Sequence, residues 1–486
     1  MNATLRTWWR RPAGGAEVLN VALPLVVSTS SWTLMYFIDR MFLLWYSNDS
    51  LAAALPASML SFVSMCFFLG MSTYVNAFVS QYYGARRYQR IGPAVWQGVW
   101  LGLAASPLVL ATIPLAPSFF EWVGHAPEVA RQETIYYQIL TVGAPPMIIA
   151  AALSSFFTGR GQVKTVMVVD FLNAMINVVL DYFWIFGYAG FPRAGIEGAG
   201  WATVVALWCR LAIYLALFLR PALRDTYQTV AGWRYDLELF RRLLRFGSPA
   251  GFHMLVEVVG FTAFLFLIGR LGPFELAATN LAINVNTLAF LPVFGIGIAT
   301  TTLVGQHLGE NRPELAARAT WTAFWLAIGY TVVFGALYVL APDLFLLGYK
   351  LDADPAQFGP LRDLTVILLR FVALYCISDT MNVIFASALK GAGDTRFIFI
   401  TSLTLAALLT VFTWFGLEQL GLGIYYGWTV LMLWVVAIGT TFWLRFLQGR
   451  WRDMRVIEPE ALAGIETHRS FDDDADPEPE RALVTP

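Results

Sequence analysis

The chain has 486 residues, of which 58% are hydrophobic and 13% are charged, against about 25% charged in soluble domains. Its 32 Lys and Arg residues and 33 Asp and Glu residues leave a net charge of −1. This composition excludes an ordinary soluble enzyme, a disordered chain and a polybasic nucleic-acid binder, and it predicts that lipid is the solvent for most of the chain.

Twelve apolar stretches are long enough to cross a bilayer as helices, which takes about 20 residues each. Eight of them run for at least 21 residues without Asp, Glu, Lys or Arg: 18–38, 50–85, 91–120, 134–159, 276–309, 319–342, 397–417 and 419–444. Four more contain charges: 165–188, 198–219, 246–269 and 363–389. The stretches are continuously apolar and do not alternate, so they predict helices and exclude a lipid-facing barrel.

The basic residues predict the orientation of these helices. With the N-terminus inside, the inner segments carry 22 Lys and Arg residues and the outer loops carry 5. Positively charged loops stay in the cytoplasm, so both termini are predicted to be cytoplasmic. The first apolar run is too long for a cleaved signal peptide, and we expect a multi-pass protein of the inner or plasma membrane.

The second half of the sequence repeats the first. With a shift of 225 residues, 51–103 and 276–328 share 13 identities in 53 positions without a gap. The shared residues include types that apolar composition alone would rarely align: Gly70 with Gly295, Gln81 with Gln306, Gly84 with Gly309, Arg87 with Arg312, Trp96 with Trp321 and Trp100 with Trp325. The repeat predicts an all-α membrane protein of two six-helix bundles, related by a pseudo-two-fold axis along the membrane normal.

The repeat and the charge pattern together predict the domain organisation. The predicted segments are a cytoplasmic N-terminal segment 1–16, an N-terminal lobe 17–220, a cytoplasmic linker 221–237, a C-terminal lobe 238–448 and a disordered acidic cytoplasmic tail 449–486.

Carboxylates inside membrane helices are costly and usually serve function. In the first half, Asp39 lies in the outer part of the first span, and Asn177 and Asp181 share one face of the fifth span. An amide oxygen beside a carboxylate at this spacing could bind Na⁺, or the carboxylate could exchange protons. An interhelical hydrogen bond would also explain Asn177. Asp170 could contact Lys164 or water.

In the second half, Glu257 is in the middle of the seventh span, one turn after His253. Tyr375 and Asp379 are one turn apart in the tenth span, where a phenol could donate to the carboxylate. For Arg210, in the sixth span, we expect an inward-facing ion pair with an unidentified partner.

The sequence offers no catalytic or metal motif. Its three cysteines and four histidines are scattered, and no phosphate-binding loop or HExxH pattern occurs. We therefore expect neither an enzyme nor a protein that uses ATP directly, but transport driven by an ion gradient.

The pattern resembles the multidrug and toxic compound extrusion (MATE) family, and in particular its NorM-like members. The resemblance spans roughly 15–450 and rests on ALPLVVSTSSWTLMYFIDRMF at 22–42, AFVSQYYGARR at 77–87, LNAMINVVLDYFWIFGYAGFPRAGIEGAGWAT at 172–203, EVVGFTAFLFLIGRLG at 257–272 and YCISDTMNVIFASALKGAGDT at 375–395. It implies a V-shaped pair of lobes that exports mostly cationic, aromatic compounds in exchange for H⁺ or Na⁺. No cofactor and no nucleic-acid partner are implied, and we expect a monomer.

The resemblance also implies two coupling sites. Positions matching a cation site in the N-terminal lobe of some members are Asp39, Asn177, Asp181 and Thr203, with Na⁺ at the first three. Those matching a site in the other lobe of NorM-like members are Glu257, Tyr375 and Asp379. Two positions depart from the family pattern, since many NorM-like members have Asn where this chain has Asp181, and Arg40 stands where a small Thr is common.

Rival functions remain open at this stage. A flippase or exporter of lipid-linked saccharide precursors, from the same wider superfamily, should have a strongly cationic cavity, whereas membrane carboxylates outnumber arginines here. An intramembrane enzyme would need a nucleophile–base pair or a metal cluster, and the sequence shows neither pattern. A channel is disfavoured by the tandem repeat, which is typical of alternating-access transporters.

Overall fold

The computed structural model describes residues 8–350 and 355–458, which fold into helices without a strand. Twelve helices in these ranges are long and apolar enough to cross a membrane. They are α1 Gly15–Tyr46, α2 Asn48–Gly84, α3 Tyr88–Val123, α4 Pro127–Gly159, α5 Val163–Phe186, α6 Gly195–Phe218, α7 Leu237–Gly269, α8 Pro273–Gly309, α9 Pro313–Leu340, α10 Pro355–Ala392, α11 Thr395–Gln419 and α12 Ile424–Leu447. The predicted fold class is thereby confirmed.

The helix α5 illustrates how lipid reverses the usual distribution of side chains. Its buried face carries polar residues, among them Asp170, Asn177 and Asp181. Its exposed face is apolar and includes Phe171 and Val179. In water this arrangement would be unfavourable, but in a bilayer the apolar face meets hydrocarbon and the polar face must find partners inside the protein.

The two lobes meet through equivalent helix pairs, since α1 packs along α8 and α2 packs along α7. A Cβ added to Gly70 would lie 2.9 Å from the Cα of Gly251, and a Cβ added to Gly295 would lie 2.8 Å from the backbone nitrogen of Val26. The shift of 225 residues relates Gly70 to Gly295 and Val26 to Gly251, so the two contacts are equivalent in the repeat. The same close approach is therefore made twice, as the predicted pseudo-two-fold axis requires.

At one end of the bundle the lobes are joined by exchanged hydrogen bonds. We call this the basic end; it carries the loops that follow α2, α4, α8 and α10. Here the Gln81 side chain donates to the carbonyl of Gly391 in the other lobe, at 2.9 Å. The Gln306 side chain donates to the carbonyl of Gly159 in the first lobe, at 2.8 Å. The basic end is closed by two crossing bonds from glutamines that the sequence repeat aligns.

Glycine makes this closure possible. A Cβ on Gly84 would lie 1.9 Å from the carbonyl oxygen of Gln306, and a Cβ on Gly309 would lie 2.2 Å from the carbonyl oxygen of Gln81. Both distances are far shorter than any real non-bonded carbon–oxygen contact, so only a residue without a side chain fits at either position.

A segment after α12, residues 449–458, crosses the basic end and contacts both lobes. We call it the C-terminal strap. The Val456 amide donates to the Gln81 side chain at 2.9 Å, and the Val456 carbonyl accepts from Arg242 at 2.9 Å. Trp451 and Ile457 are buried. Apolar side chains and backbone hydrogen bonds thus fix the strap on the bundle.

The sequence predicts a disordered tail from 449 onward, and the structure differs over the strap. Its polar composition suggested disorder, but three apolar side chains, those of Trp451, Val456 and Ile457, are buried and supply enough contact to order it. The remainder of the predicted tail, 459–486, and the first seven residues of the predicted N-terminal segment lie outside the described residues.

The strap ends in an ionic contact that should depend on pH. Glu458 accepts from the Tyr82 hydroxyl at 2.6 Å and from Arg90 at 2.9 Å. Burial alone would raise the pKa of Glu458, but the hydrogen bonds from Tyr82, its own backbone amide and Arg90 outweigh burial and lower it. A lowered folded-state pKa adds stability that is complete above the usual value of 4.5 and disappears as the pH falls through the folded-state value.

We therefore expect Glu458→Gln to lower stability by roughly 1 kcal/mol at neutral pH, with the difference from wild type shrinking below about pH 4.5. The measurement is the melting midpoint of the detergent-solubilised protein across pH. Glu314→Gln, at an exposed position of the same end, is the matched control. A difference that does not change with pH would contradict this assignment.

Candidate functional site

A cavity of about 610 Å³ lies between the lobes. Helices α1, α2, α4 and α6 form one wall, and α7, α8, α10 and α12 form the other. The α1 part of the wall is 36–43, at the end of that helix remote from the basic end. The volume is that of a typical site for a drug-sized molecule. The charged side chains that line it are Asp39, Arg40, Glu257 and Asp379.

The four residues proposed for the N-terminal lobe are brought together by three helices. Asp39 is on α1, Asn177 and Asp181 are on α5, and Thr203 is on α6, and each is at most 7% exposed. The Asn177 side chain donates to the Thr203 hydroxyl at 3.2 Å, and that hydroxyl donates to the carbonyl of Ala199 at 3.0 Å. The carboxyl groups of Asp39 and Asp181 lie close enough for each to feel the charge of the other.

Several oxygens of this cluster have no hydrogen-bond partner among the described residues: one of Asp39, one of Asn177 and both of Asp181. Two ionised carboxylates side by side repel each other, and burial makes that repulsion stronger. A proton shared by the pair, or a hard cation bound to these oxygens, would relieve it. The oxygens present therefore fit Na⁺ as well as H⁺, and no third Asp, Glu, His or Cys of the described ranges completes a metal site.

The C-terminal lobe places Glu257, Tyr375 and Asp379 on the opposite wall of the cavity. Glu257 is 3.4 Å from the ring nitrogen Nε2 of His253, and its side chain is 40% exposed to the cavity. Asp379 lies close to the side chain of Asn382 and feels the charge of Glu257. Tyr375 lies beside Asp379. The structure thus gathers all three on one wall.

Two residues near Glu257 and Asp379 escaped the sequence analysis. Asn382 lies one turn after Asp379 on the same helix face, a spacing that could have identified it. Lys390 interacts electrostatically with Glu257 from the far end of α10, which spacing alone could not reveal because the two residues are on different helices. The charge of Lys390 therefore acts on Glu257 from outside the cavity lining, whereas Asn382 belongs to the lining.

A separate ionic cluster lies in the N-terminal lobe. Arg210 donates to Asp170 at 2.8 Å, and both side chains are buried. Asp170 also accepts from the hydroxyl of Ser28 and, at 3.4 Å, from that of Tyr214. The expected inward-facing ion pair of Arg210 is confirmed and its partner is identified, whereas the suggested contact of Asp170 with Lys164 is wrong because Asp170 points toward α6.

Removing one member of such a pair leaves a buried charge without compensation. We expect Asp170→Asn to destabilise the protein by about 3–5 kcal/mol. The melting midpoint in detergent measures this, and the double variant with Arg210→Met should recover much of the loss, because it removes both charges. A single variant as stable as wild type would show that the ion pair is dispensable.

Comparison with known proteins gives consistent relatives. The sequence model of the MatE family matches residues 24–183 and 249–415, one segment in each lobe. The probable multidrug resistance protein NorM of Xanthomonas campestris pv. campestris is 30% identical over 413 residues, which is 84% of this chain and 86% of the relative. The multidrug resistance protein PmpM of Pseudomonas aeruginosa is 27% identical over 403 residues, which is 82% of this chain and 82% of the relative.

Solved structures share the fold. A multidrug resistance MATE family transporter of the MOP superfamily in an outward-facing conformation superposes with a TM-score of 0.81 at 18% identity, covering 96% of this chain and 99% of the other. A MOP superfamily transporter from Pyrococcus furiosus gives a TM-score of 0.80 at 19% identity, covering 93% of this chain and all of the other.

Proposed function

The chain belongs to the multidrug and toxic compound extrusion family, and on that premise we propose that it exports organic compounds in exchange for H⁺ or Na⁺ by alternating access. Family membership makes it a multidrug efflux transporter of the inner membrane. The ion coupling, the cytoplasmic position of both termini and the monomeric state are the proposed details. Substrates are small organic molecules, mostly cationic and aromatic.

One observation carries the proposal: the cavity is walled by both lobes, receives carboxylates from both, and is sealed from the basic end. The basic end corresponds to the side predicted to face the cytoplasm. A cavity that is closed at the basic end holds its contents on the outer side. This arrangement corresponds to the state in which an exporter releases its substrate. Aromatic side chains on both walls, including Tyr36, Phe261 and Trp434, can stack on flat cations.

The proposed coupling site of the N-terminal lobe consists of Asp39, Asn177, Asp181 and Thr203. Na⁺, if it is the coupling ion, would contact the first three through their unpartnered oxygens. Since Asp39 and Thr203 also line the cavity, occupation of this site can change the wall that a substrate meets. This shared wall would link ion binding to substrate release.

The proposed coupling site of the C-terminal lobe consists of Glu257, Tyr375 and Asp379. Glu257 and Asp379 face the cavity and interact electrostatically. A cationic substrate or a proton near this wall would relieve their mutual repulsion, so the two would compete for the same carboxylates.

A flippase of lipid-linked saccharides is the alternative and is less well supported. Pyrophosphate needs a cationic cavity, and three of the four charged side chains that line this one are carboxylates.

The deciding experiment reconstitutes the purified protein in liposomes and imposes a Na⁺ gradient or an H⁺ gradient, one at a time, with a fluorescent organic cation as substrate. We expect one of the two gradients to drive its transport against its own concentration gradient. Absence of transport under both gradients would contradict the proposal, and gradient-independent movement would favour a channel.

A further inference from the structure

Arg40 is a charged residue on the cavity wall that is a member of neither proposed coupling site, although its charge acts on the neighbouring Asp39. It follows Asp39 on α1, but Asp39 is buried toward Asp181, whereas Arg40 is exposed and lines the cavity. Within residues 8–350 and 355–458, Arg40 has no ion-pair partner within 4.0 Å. A guanidinium thus faces the cavity without an ion-pair partner among the residues that the structure describes.

The opposite charge lies across the cavity. Glu257 and Asp379 line the wall of the C-terminal lobe, where Glu257 is partly exposed and contacts His253. These carboxylates are not joined to Arg40, since no ion pair spans the cavity in the described residues. A molecule seated between the walls would therefore meet a cation on one side and carboxylates on the other.

An arginine in a membrane helix needs a reason, because its charge is costly in hydrocarbon. Arg40 is in the last two turns of α1, so its side chain could simply reach the aqueous interface. Its place on the wall of a water-accessible cavity provides a second use. Guanidinium binds carboxylates through two parallel hydrogen bonds, which gives both affinity and orientation.

We propose that Arg40 is a specificity-determining residue that binds the anionic group of zwitterionic aromatic substrates, whose cationic group faces Glu257 and Asp379. The inference deepens the proposed export function and rests on it. A cavity of about 610 Å³ accommodates an aromatic scaffold that carries both groups.

The test compares two probes with one scaffold: an aromatic amino acid derivative with a free carboxylate, and its methyl ester, which is a simple cation. Equilibrium binding of each probe to the detergent-purified protein is measured by calorimetry for wild type, Arg40→Gln and Arg40→Lys. We expect Arg40→Gln to weaken binding of the zwitterion about tenfold or more and to leave the ester unchanged or bound more tightly. The affinity of Arg40→Lys for the zwitterion should lie between those of wild type and Arg40→Gln, because lysine keeps the charge and loses the planar geometry.

Arg193→Gln is the matched control. Arg193 lies in the loop between α5 and α6, packs over the Tyr46 ring at the end of α1 and does not line the cavity. Unchanged ester binding in Arg40→Gln shows that the variant is folded. Equal loss of both probes, or no loss of either, would overturn the inference in favour of a residue that only reaches the interface. The test measures binding and not transport. A failure of transport in liposomes would therefore count against the proposed function and leave the inference about Arg40 unaffected.

Discussion

Replacement of Asp39 by Asn should reduce gradient-driven export at least about tenfold while leaving the protein folded and as stable as wild type, or more so. The carboxyl groups of Asp39 and Asp181 lie together in a buried site, and both Asp181 oxygens lack a hydrogen-bond partner in the part of the chain that the structure describes. Neutralising one of the two carboxyl groups removes the repulsion between Asp39 and Asp181. The pair then no longer needs a proton or a cation to relieve that repulsion. A residue that merely braced the helices would instead lose stability when changed.

Export under the driving gradient and the melting midpoint are measured together. Asp181→Asn should behave in the same way, and Glu121→Gln, at an exposed position of the same lobe, is the control. Asp379→Asn tests the other lobe separately, because it leaves the Asp39–Asp181 pair intact. Full export with unchanged pH dependence in Asp39→Asn would reject a coupling role for the N-terminal cluster.

The second large effect is expected at the basic end. Gly84→Ala would place a methyl group 1.9 Å from the carbonyl oxygen of Gln306, and Gly309→Ala would place one 2.2 Å from that of Gln81. Backbone cannot yield as a flexible side chain does, so the lobes must separate there. We expect each change to cost about 1–3 kcal/mol in the closed state and the double change to cost more.

A cysteine introduced at Asn76 reports whether the end has opened, because Asn76 is buried against Thr302 of the other lobe. Its labelling by a water-soluble thiol reagent, located by mass spectrometry, should accelerate at least about fivefold in the Gly84→Ala background, as about 1 kcal/mol implies. Gly329→Ala is the matched control, since a Cβ there meets nothing within 4 Å. Unchanged labelling in Gly84→Ala would contradict the proposed separation.

The sequence predicted the fold well because a bilayer leaves few choices. Continuous apolar runs must be helices, and rare intramembrane charges stand out, so Asp39, Asp181 and Glu257 could be identified as candidates without a structure. Helix-face arithmetic even placed Asn177 beside Asp181. These inferences rely on local spacing and on the cost of burying charge.

Contacts between distant segments could not be predicted in this way. Nothing in the spacing joins Arg210 to Asp170, 40 residues earlier, because a helix face does not reveal which neighbour it meets. The C-terminal strap was missed because composition averaged over the whole tail hides the buried side chains of Trp451 and Val456. Pairing of this kind depends on tertiary packing.

The crossing bonds at the basic end have the pattern of an isologous interface, in which residue i of one subunit meets residue j of its partner and j meets i. Gln81 of the first lobe donates to the second lobe, and Gln306 of the second lobe donates to the first. In the same way, Gly84 approaches the backbone of Gln306, and Gly309 approaches the backbone of Gln81. A symmetric dimer of identical half-chains could form the same closure. No such dimer could hold Asp39 on one side and Glu257 on the other, because neither residue is repeated. Fusing the halves into one chain therefore lets each lobe carry a different charge set without altering the closure that both share.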